Sequence, residues 1–294
     1  MVTVELLGTA VPVAVALLVI VVVAIAAGAV GSMLGLGGGL FLVPALVVLF
    51  HADIHLVVAT SLVSVIATSS GAASTQVESG YTNLRLAMFL ETATSVGGLA
   101  GAVLSVTILA NHGNVLIAIF IPVVVVAGLS MYVRRRVDTR ENVAPDAWAD
   151  RLRLSGEAPD VLGGAPHPYR ATGAAPGLAV AGVAGIASGL LGIGGGLFKV
   201  PAMNSIMNIP IRVAGATSTF MIGVTAAASA IVYLIAGDVL LVLTVPAAIG
   251  TLLGSRLGSG LRSRASAPWL KAMFAAMLGV AAVSMFAQLV GVLP

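Results

Sequence analysis

Eight stretches of this chain read as helices that cross a lipid bilayer: Ala10–Leu34, Leu56–Thr75, Leu84–Leu109, Val115–Val133, Pro176–Leu191, Val213–Ala236, Val239–Leu257 and Pro268–Val290. A spanning helix needs about 20 mostly apolar residues. Two shorter apolar runs, Leu40–Phe50 and Leu197–Met207, each follow a glycine cluster. So many long runs leave little choice of solvent. Only 9% of the 294 residues are charged and 59% are hydrophobic, with a mean hydropathy of +1.11. Soluble domains carry about 25% charged residues, because their surfaces must stay polar. Lipid lifts that requirement, so the expected fold is an all-α polytopic membrane protein.

The second constraint is repetition. A constant shift of 157 residues superposes the two halves without a gap. Gly28 falls on Gly185, Gly35 on Gly192, and Gly37–Gly39 on Gly194–Gly196. Val43-Pro44-Ala45 falls on Val200-Pro201-Ala202, and Ala59-Thr60-Ser61 on Ala216-Thr217-Ser218. Gly80, Gly97 and Gly101 meet Gly237, Gly254 and Gly258. Two unrelated greasy segments would share scattered Leu and Val, not Gly, Pro and Thr-Ser in register. The chain therefore divides into a first membrane repeat (1–133), a polar Arg-rich linker (134–175) and a second membrane repeat (176–294). In the linker, Trp148, Leu152 and Leu154 either rest on the membrane surface or help form a small hairpin.

Charge placement orients the halves. If the short runs after the glycines do not cross, each half crosses four times and the basic loops are split between the two sides. If they do cross, each half crosses five times. Arg85, the linker, Arg212 and the group Arg256, Arg262, Arg264 and Lys271 then share one side. The other side carries Glu5, Asp53 and Asp238. Basic loops favour the cytoplasm, so the expectation is two inverted repeats of about five membrane segments each, with a Gly-rich broken helix in each half. The linker is then cytoplasmic and both termini lie outside. About 11 residues give only about 17 Å of helix, so the short runs must be steeply broken or extend through the glycine segments. No Lys or Arg precedes the apolar run from Ala10 to Ala27, unlike a signal peptide.

Non-helical backbone inside a membrane is tolerated where it lines a cavity or is buried in protein. The clusters Gly37, Gly38, Gly39 and Gly194, Gly195, Gly196 each precede a new helical start. Such starts expose free N–H groups that suit an anion. Paired helix breaks near the midplane are a device of secondary transporters. Backbone N–H groups up to Leu40 and Leu197 are thus candidate ligands for a small anion. The competing reading is that the glycines only let helices pack closely.

Lys199 stands where the first half has Leu42, in the first turn after Gly196. An intramembrane Lys costs about 3 kcal/mol on insertion scales, so it is a candidate counter-charge, or else it snorkels to an interface. Thr60, Ser61, Thr217 and Ser218 either donate to an oxyanion or tie helices together. Asn204 is a weaker candidate. Glu91, opposite Ala248, is the candidate for proton coupling, against a bland role as a hydrated neighbour of Arg85. Gln76, Glu78, Tyr233 and Asp238 read as interfacial. Catalysis finds no footing, because no nucleophile elbow, zinc motif or phosphate loop is present. The chain has no Cys, and its four His show no metal-ligand spacing. Neither a metal nor a cofactor is expected, and nothing suggests nucleic acid. The expected partners are lipid and a small anionic substrate; homo-oligomerisation is left open.

The two doubled stretches, Gly-Ser-Met-Leu-Gly-Leu-Gly-Gly-Gly-Leu-Phe-Leu-Val-Pro-Ala from Gly31 and Ser-Gly-Leu-Leu-Gly-Ile-Gly-Gly-Gly-Leu-Phe-Lys-Val-Pro-Ala from Ser188, are each followed by Ala-Thr-Ser. They resemble the TauE/SafE family of sulfite exporters. The resemblance implies a plasma-membrane exporter of sulfite or an organosulfur anion such as sulfoacetate. An importer, a carrier of another small anion and a passive anion channel are alternatives on the same scaffold. An intramembrane enzyme is the remote one.

Overall fold

The computed structural model describes residues 3–6, 9–34, 36–50, 52–133, 146–159 and 166–261, with a few positions between 279 and 290. Gly35, the linker segment 134–145, residues Arg262, Arg264 and Lys271, and most of the span expected at Pro268–Val290 lie outside the described residues.

Ten α-helices are described. The first half holds α1 (Val13–Leu34), α2 (Gly39–Phe50), α3 (Ile54–Glu78), α4 (Leu84–Thr107) and α5 (Gly113–Val133). The linker holds α6 (Ala147–Arg151). The second half holds α7 (Ala174–Leu191), α8 (Gly196–Pro201), α9 (Ile211–Ala236) and α10 (Leu241–Leu261), with a π-helical turn at Ala202–Ile206 after α8. Six of these helices (α1, α3, α4, α7, α9 and α10) are long and apolar enough to cross a bilayer. The protein is a multi-pass helical membrane protein.

Two small departures from an all-helical chain appear. The span expected from Ala10 begins at Val13, because Thr9–Pro12 instead pairs antiparallel with Thr3–Leu6. In the linker, β-strands Gly156–Ala158 and His167–Tyr169 form a hairpin. Of the three apolar linker residues, Leu154 is buried, whereas Trp148 and Leu152 are exposed.

The helix ends follow local chemistry. Asn83 starts α4 by accepting a hydrogen bond from the Leu86 N–H. Asp146 does the same for α6 at Trp148 and Ala149. Its other oxygen accepts from Ala174 N at 2.8 Å, tying the linker to the start of α7. Asn83 Nδ2 donates to the carbonyl of Leu154 and to Tyr169 Oη, both at 2.8 Å, so the hairpin sits on the α3–α4 turn.

The most extensive helix contacts are α1 with α10 and α4 with α7, and each pairs one half with the other. Both run in the same sense and repeat at the 157-residue shift. A Cβ on Gly28 would collide with the backbone of Thr251, and one on Gly185 with that of Thr94. Gly97 is held against Gly182 as Gly254 is against Ile25, and Gly101 against Ile186 as Gly258 is against Ala29. Lipid supplies no hydrophobic drive between helices, so this backbone approach and its van der Waals contact are what hold the pairs.

The central helices α3 and α9 pass in opposite sense. Ser69 Oγ donates to the carbonyl of Thr219 at 2.6 Å, while Val65 and Ile222 together flank Gly37 and Gly194. Along α10, by contrast, α3 runs in the same sense: Thr60 lies 3.1 Å from Thr244, and Thr251 Oγ1 donates to the Ser64 carbonyl.

Candidate functional site

Helix α1 ends at Leu34 and α2 begins at Gly39; α7 ends at Leu191 and α8 begins at Gly196. Gly37 (φ 77) and Gly194 (φ 73) occupy the left-handed region that side chains avoid. Their surroundings explain a second requirement. A Cβ on Gly194 would fall 2.5 Å from Cγ2 of Ile222 and 3.1 Å from Cγ1 of Val65, and one on Gly37 would meet the same two side chains. The two glycine segments therefore meet against one pair of equivalent residues. Ser61 joins them further: its Oγ donates to the carbonyl of Gly192 at 2.8 Å and would lie only 2.6 Å from a Cβ on Gly39. The first turns of α2 and α8 are built alike, with Leu42 N donating to Gly38 O at 3.1 Å and Lys199 N to Gly195 O at 3.2 Å. They differ beyond the shared proline. Helix α2 continues past Pro44, whereas Pro201 ends α8 and the chain widens, with Met207 N bonding Ala202 O.

Lys199 is 1% exposed and is the one buried Lys or Arg among the described residues. Its Nζ donates to Thr225 Oγ1 on α9 at 2.7 Å. Thr225 Oγ1 lies 2.7 Å from Glu91 Oε1 on α4 and 3.3 Å from Thr94 Oγ1. Ser95 Oγ also donates to Glu91 Oε1, at 2.8 Å. Glu91 Oε2 is 4.0 Å from Lys199 Nζ and accepts no hydrogen bond among the described residues. The Lys199 side chain folds over Gly195, whose Cβ position would be 3.4 Å from Cε. A buried ion pair is thus bridged by one threonine at the second glycine segment.

The cluster lies between two hollows. One, of about 300 Å³, is lined by Asp53, His55 and Asp238 at the start of α3 and the ends of α4 and α9. The other, also about 300 Å³, is lined by Arg85, Arg153, Asn83, Ser155, Glu157 and Tyr169 at the end of α3 and the starts of α4 and α9. Glu91 and Thr225 sit along α4 and α9 between these ends.

The sequence model of the family described as Sulfite exporter TauE/SafE matches residues 20–285. The chain belongs to the TauE/SafE family. It is also similar to the "Probable membrane transporter protein YunE" of Bacillus subtilis (strain 168), with 28% identity over 245 residues, covering 81% of this chain and 85% of that protein. No solved structure matches the chain. Membership places it among membrane transporters rather than enzymes in the usual sense.

Within this TauE/SafE chain, the residues singled out from sequence divide into groups. Gly37, Gly39, Gly194 and Ser61 come together, and Gly38, Gly195, Gly196, Leu40 and Leu197 belong to the same two helical starts. Lys199 and Glu91 also come together, which neither the counter-charge nor the proton-coupling expectation foresaw. The hydroxyls of Thr60 and Thr217 are engaged between helices, with Thr244 and with the Asn83 N–H respectively. Ser218 Oγ is buried without a hydrogen-bond partner among the described residues. Asn204 bonds the Ile209 carbonyl at 2.9 Å.

Two corrections follow. Tyr233 is not interfacial: it is fully buried, with its hydroxyl donating to Gly189 O at 2.9 Å. Glu91 is no hydrated neighbour of Arg85, since it is 8% exposed and faces Lys199. Thr225 went unnoticed, although its position 157 residues from Thr68 put it in the repeat.

Proposed function

We propose that this protein is a secondary transporter that exports sulfite or a small organosulfonate across the plasma membrane. The anion is held where the two glycine segments meet. The carrying observation is Lys199, the one buried Lys or Arg among the described residues, in the first turn of α8; its partners Glu91 and Thr225 sit along α4 and α9 between a hollow bearing Arg85 and Arg153 and one bearing Asp53 and Asp238. An intramembrane cation is costly and marks a pathway for charge. An arginine-lined mouth concentrates anions, and an aspartate-lined one repels them on exit. Placing the basic mouth in the cytoplasm accords with the positive-inside bias. The family description names sulfite, which supports an oxyanion as the substrate.

The binding groups in this reading are the backbone N–H groups of Gly37 to Leu40 and Gly194 to Leu197. Lys199 supplies charge, and Thr60, Ser61, Thr217 and Ser218 supply hydroxyls. The halves act as inverted repeats that rock about the Val65–Ile222 contact, alternately opening each mouth. The repeated glycine contacts and the opposite sense of α3 and α9 support this reading. The chain leaves and re-enters helix between Leu34 and Gly39 and between Leu191 and Gly196, as a membrane break requires.

Labelled-sulfite flux in reconstituted vesicles tests the function, with sulfate, thiosulfate and sulfonates as competitors. Saturable flux with exchange of labelled for unlabelled anion is expected. Flux without exchange or saturation means a channel. No flux of any sulfur anion overturns the substrate class.

A further inference from the structure

Lys199 and Glu91 are each charged where the equivalent place in the opposite half is apolar. Shifting by 157 residues, Lys199 falls on Leu42 and Glu91 on Ala248, while Thr225 falls on Thr68 and Thr94 on Thr251. The hydroxyls are kept in both halves, whereas each charge occurs once, Glu91 in the first half and Lys199 in the second, and the docking of α4 on α7 and α9 brings them together. The pair is therefore a unit added to a symmetric scaffold.

Its geometry is lopsided. One carboxylate oxygen of Glu91 takes the bonds from Thr225 and Ser95 at 2.7 and 2.8 Å. The other faces Lys199 at 4.0 Å and accepts no hydrogen bond among the described residues. Charges near it are few. Helix α7 carries no titratable side chain, α8 carries Lys199, α9 carries Arg212 and Tyr233, and α4 adds Arg85. Arg85 and Arg212 are exposed near the starts of their helices, and Tyr233 is bonded to Gly189. Among the described residues, Lys199 alone compensates the Glu91 carboxylate.

We infer that Glu91 is a proton-binding site that exchanges Lys199 with the transported anion: substrate takes the lysine, and the carboxylate so displaced takes a proton at Oε2. The inference rests on the anion reading above and specifies its coupling ion. With the site empty, Glu91 stands in for the substrate's negative charge. When an oxyanion engages Lys199, a bare carboxylate in this water-poor setting has no partner, and neutralisation is its cheapest outcome. Anion and proton thus bind together and leave together. When the anion departs, Lys199 returns to Glu91 and the proton is released on the same side.

The probe is methanesulfonate, a permanent monoanion near neutral pH, so any proton that moves belongs to the protein. Full-length protein in vesicles, given an inward methanesulfonate gradient, should acidify the lumen by about one proton per anion. Flux should be unaffected by an imposed potential. Affinity should fall by up to about tenfold per pH unit in the range where the empty site is unprotonated. Glu91→Gln keeps the hydrogen-bonding shape while removing the charge. Its flux should persist, lose its pH dependence and become driven by the potential. Methanesulfonate flux without acidification in the wild-type protein overturns the coupling and leaves the anion reading intact. So does proton movement that survives in Glu91→Gln. If neither methanesulfonate nor sulfite crosses, the anion reading fails and the coupling fails with it. Should Glu91→Gln not fold, the wild-type proton count decides alone.

Discussion

The ammonium of Lys199 stands 4.0 Å from the carboxylate of Glu91, and both are enclosed by protein. Removing one member strands the other. Lys199→Ala or Glu91→Ala should cost about 3–5 kcal/mol of stability, the range for breaking a buried ion pair from one side. The double change Lys199→Leu with Glu91→Ala copies Leu42 and Ala248 and should recover most of the loss while abolishing coupled transport. Thermal unfolding of the purified protein, run beside flux, checks both. A double variant no more stable than the singles contradicts the pairing.

Thr225 bridges the pair with one hydroxyl. Thr225→Val is close in shape and leaves Lys199 Nζ and Glu91 Oε1 each short of a partner, a loss of about 1–3 kcal/mol. Thr225→Ser should restore stability and transport. A valine variant with unchanged melting and unchanged anion affinity removes the bridge from the account.

The helix glycines offer a matched comparison. Gly97→Ala and Gly254→Ala push a methyl into the backbone of the facing helix and should each cost about 1–3 kcal/mol. Gly182→Ala, whose Cβ would find nothing nearer than 3.8 Å, should be neutral or slightly stabilising. Equal effects at all three positions would refute the packing argument, and melting curves decide.

The absence of cysteine makes the topology open to labelling. Single cysteines at Arg151 and at Asp238 should react with a membrane-impermeant maleimide from opposite sides of the membrane, with position 151 cytoplasmic. Reaction of both from the same side would contradict the inverted arrangement.

The linker carries an acid-sensitive anchor. Asp146 is held below its ordinary value of 3.8, first by the N–H of Ala174, with burial next and opposing, and then by the N–H groups of Ala149, Trp148 and Gly173. A carboxyl lowered by folding stabilises the folded form above 3.8, and that contribution is lost as pH falls through the folded value. Loosening of α6 from α7, followed by Trp148 fluorescence, should therefore begin below pH 3.8. Asp146→Asn should flatten the transition.

Much of the architecture is written in residues that only backbone geometry can demand. Gly97, Gly101, Gly254 and Gly258 show in sequence because no side chain fits where they sit. The apolar runs show because lipid admits little else. The Glu91–Lys199 contact could not be read this way. It forms only because α4 docks against the helices of the other half, a relation that hydropathy does not encode. Thr225 was hidden for a related reason: a threonine in an apolar helix commonly satisfies itself on the preceding turn, and for Thr225 the Met221 carbonyl stands within reach at 3.0 Å. Tyr233 near the end of α9 looked interfacial, since its partner Gly189 is known only once α7 and α9 are packed. The linker held both a surface-lying and a hairpin option, and Asn83, in the turn before α4, bonds the hairpin strand at Tyr169.

The unequal charge of the two halves bears on direction. A carrier whose halves were identical would have inward- and outward-facing forms related by a two-fold rotation and equal in free energy, and either side would serve equally as the start of a cycle. Lys199 and Glu91, one from each half, meet where α8 and α9 pack beside α4, while Leu42 and Ala248 hold the equivalent places on α2 and α10, so the two facings are not degenerate. In a rocking cycle of the kind proposed, that energetic offset sets which way the empty protein waits.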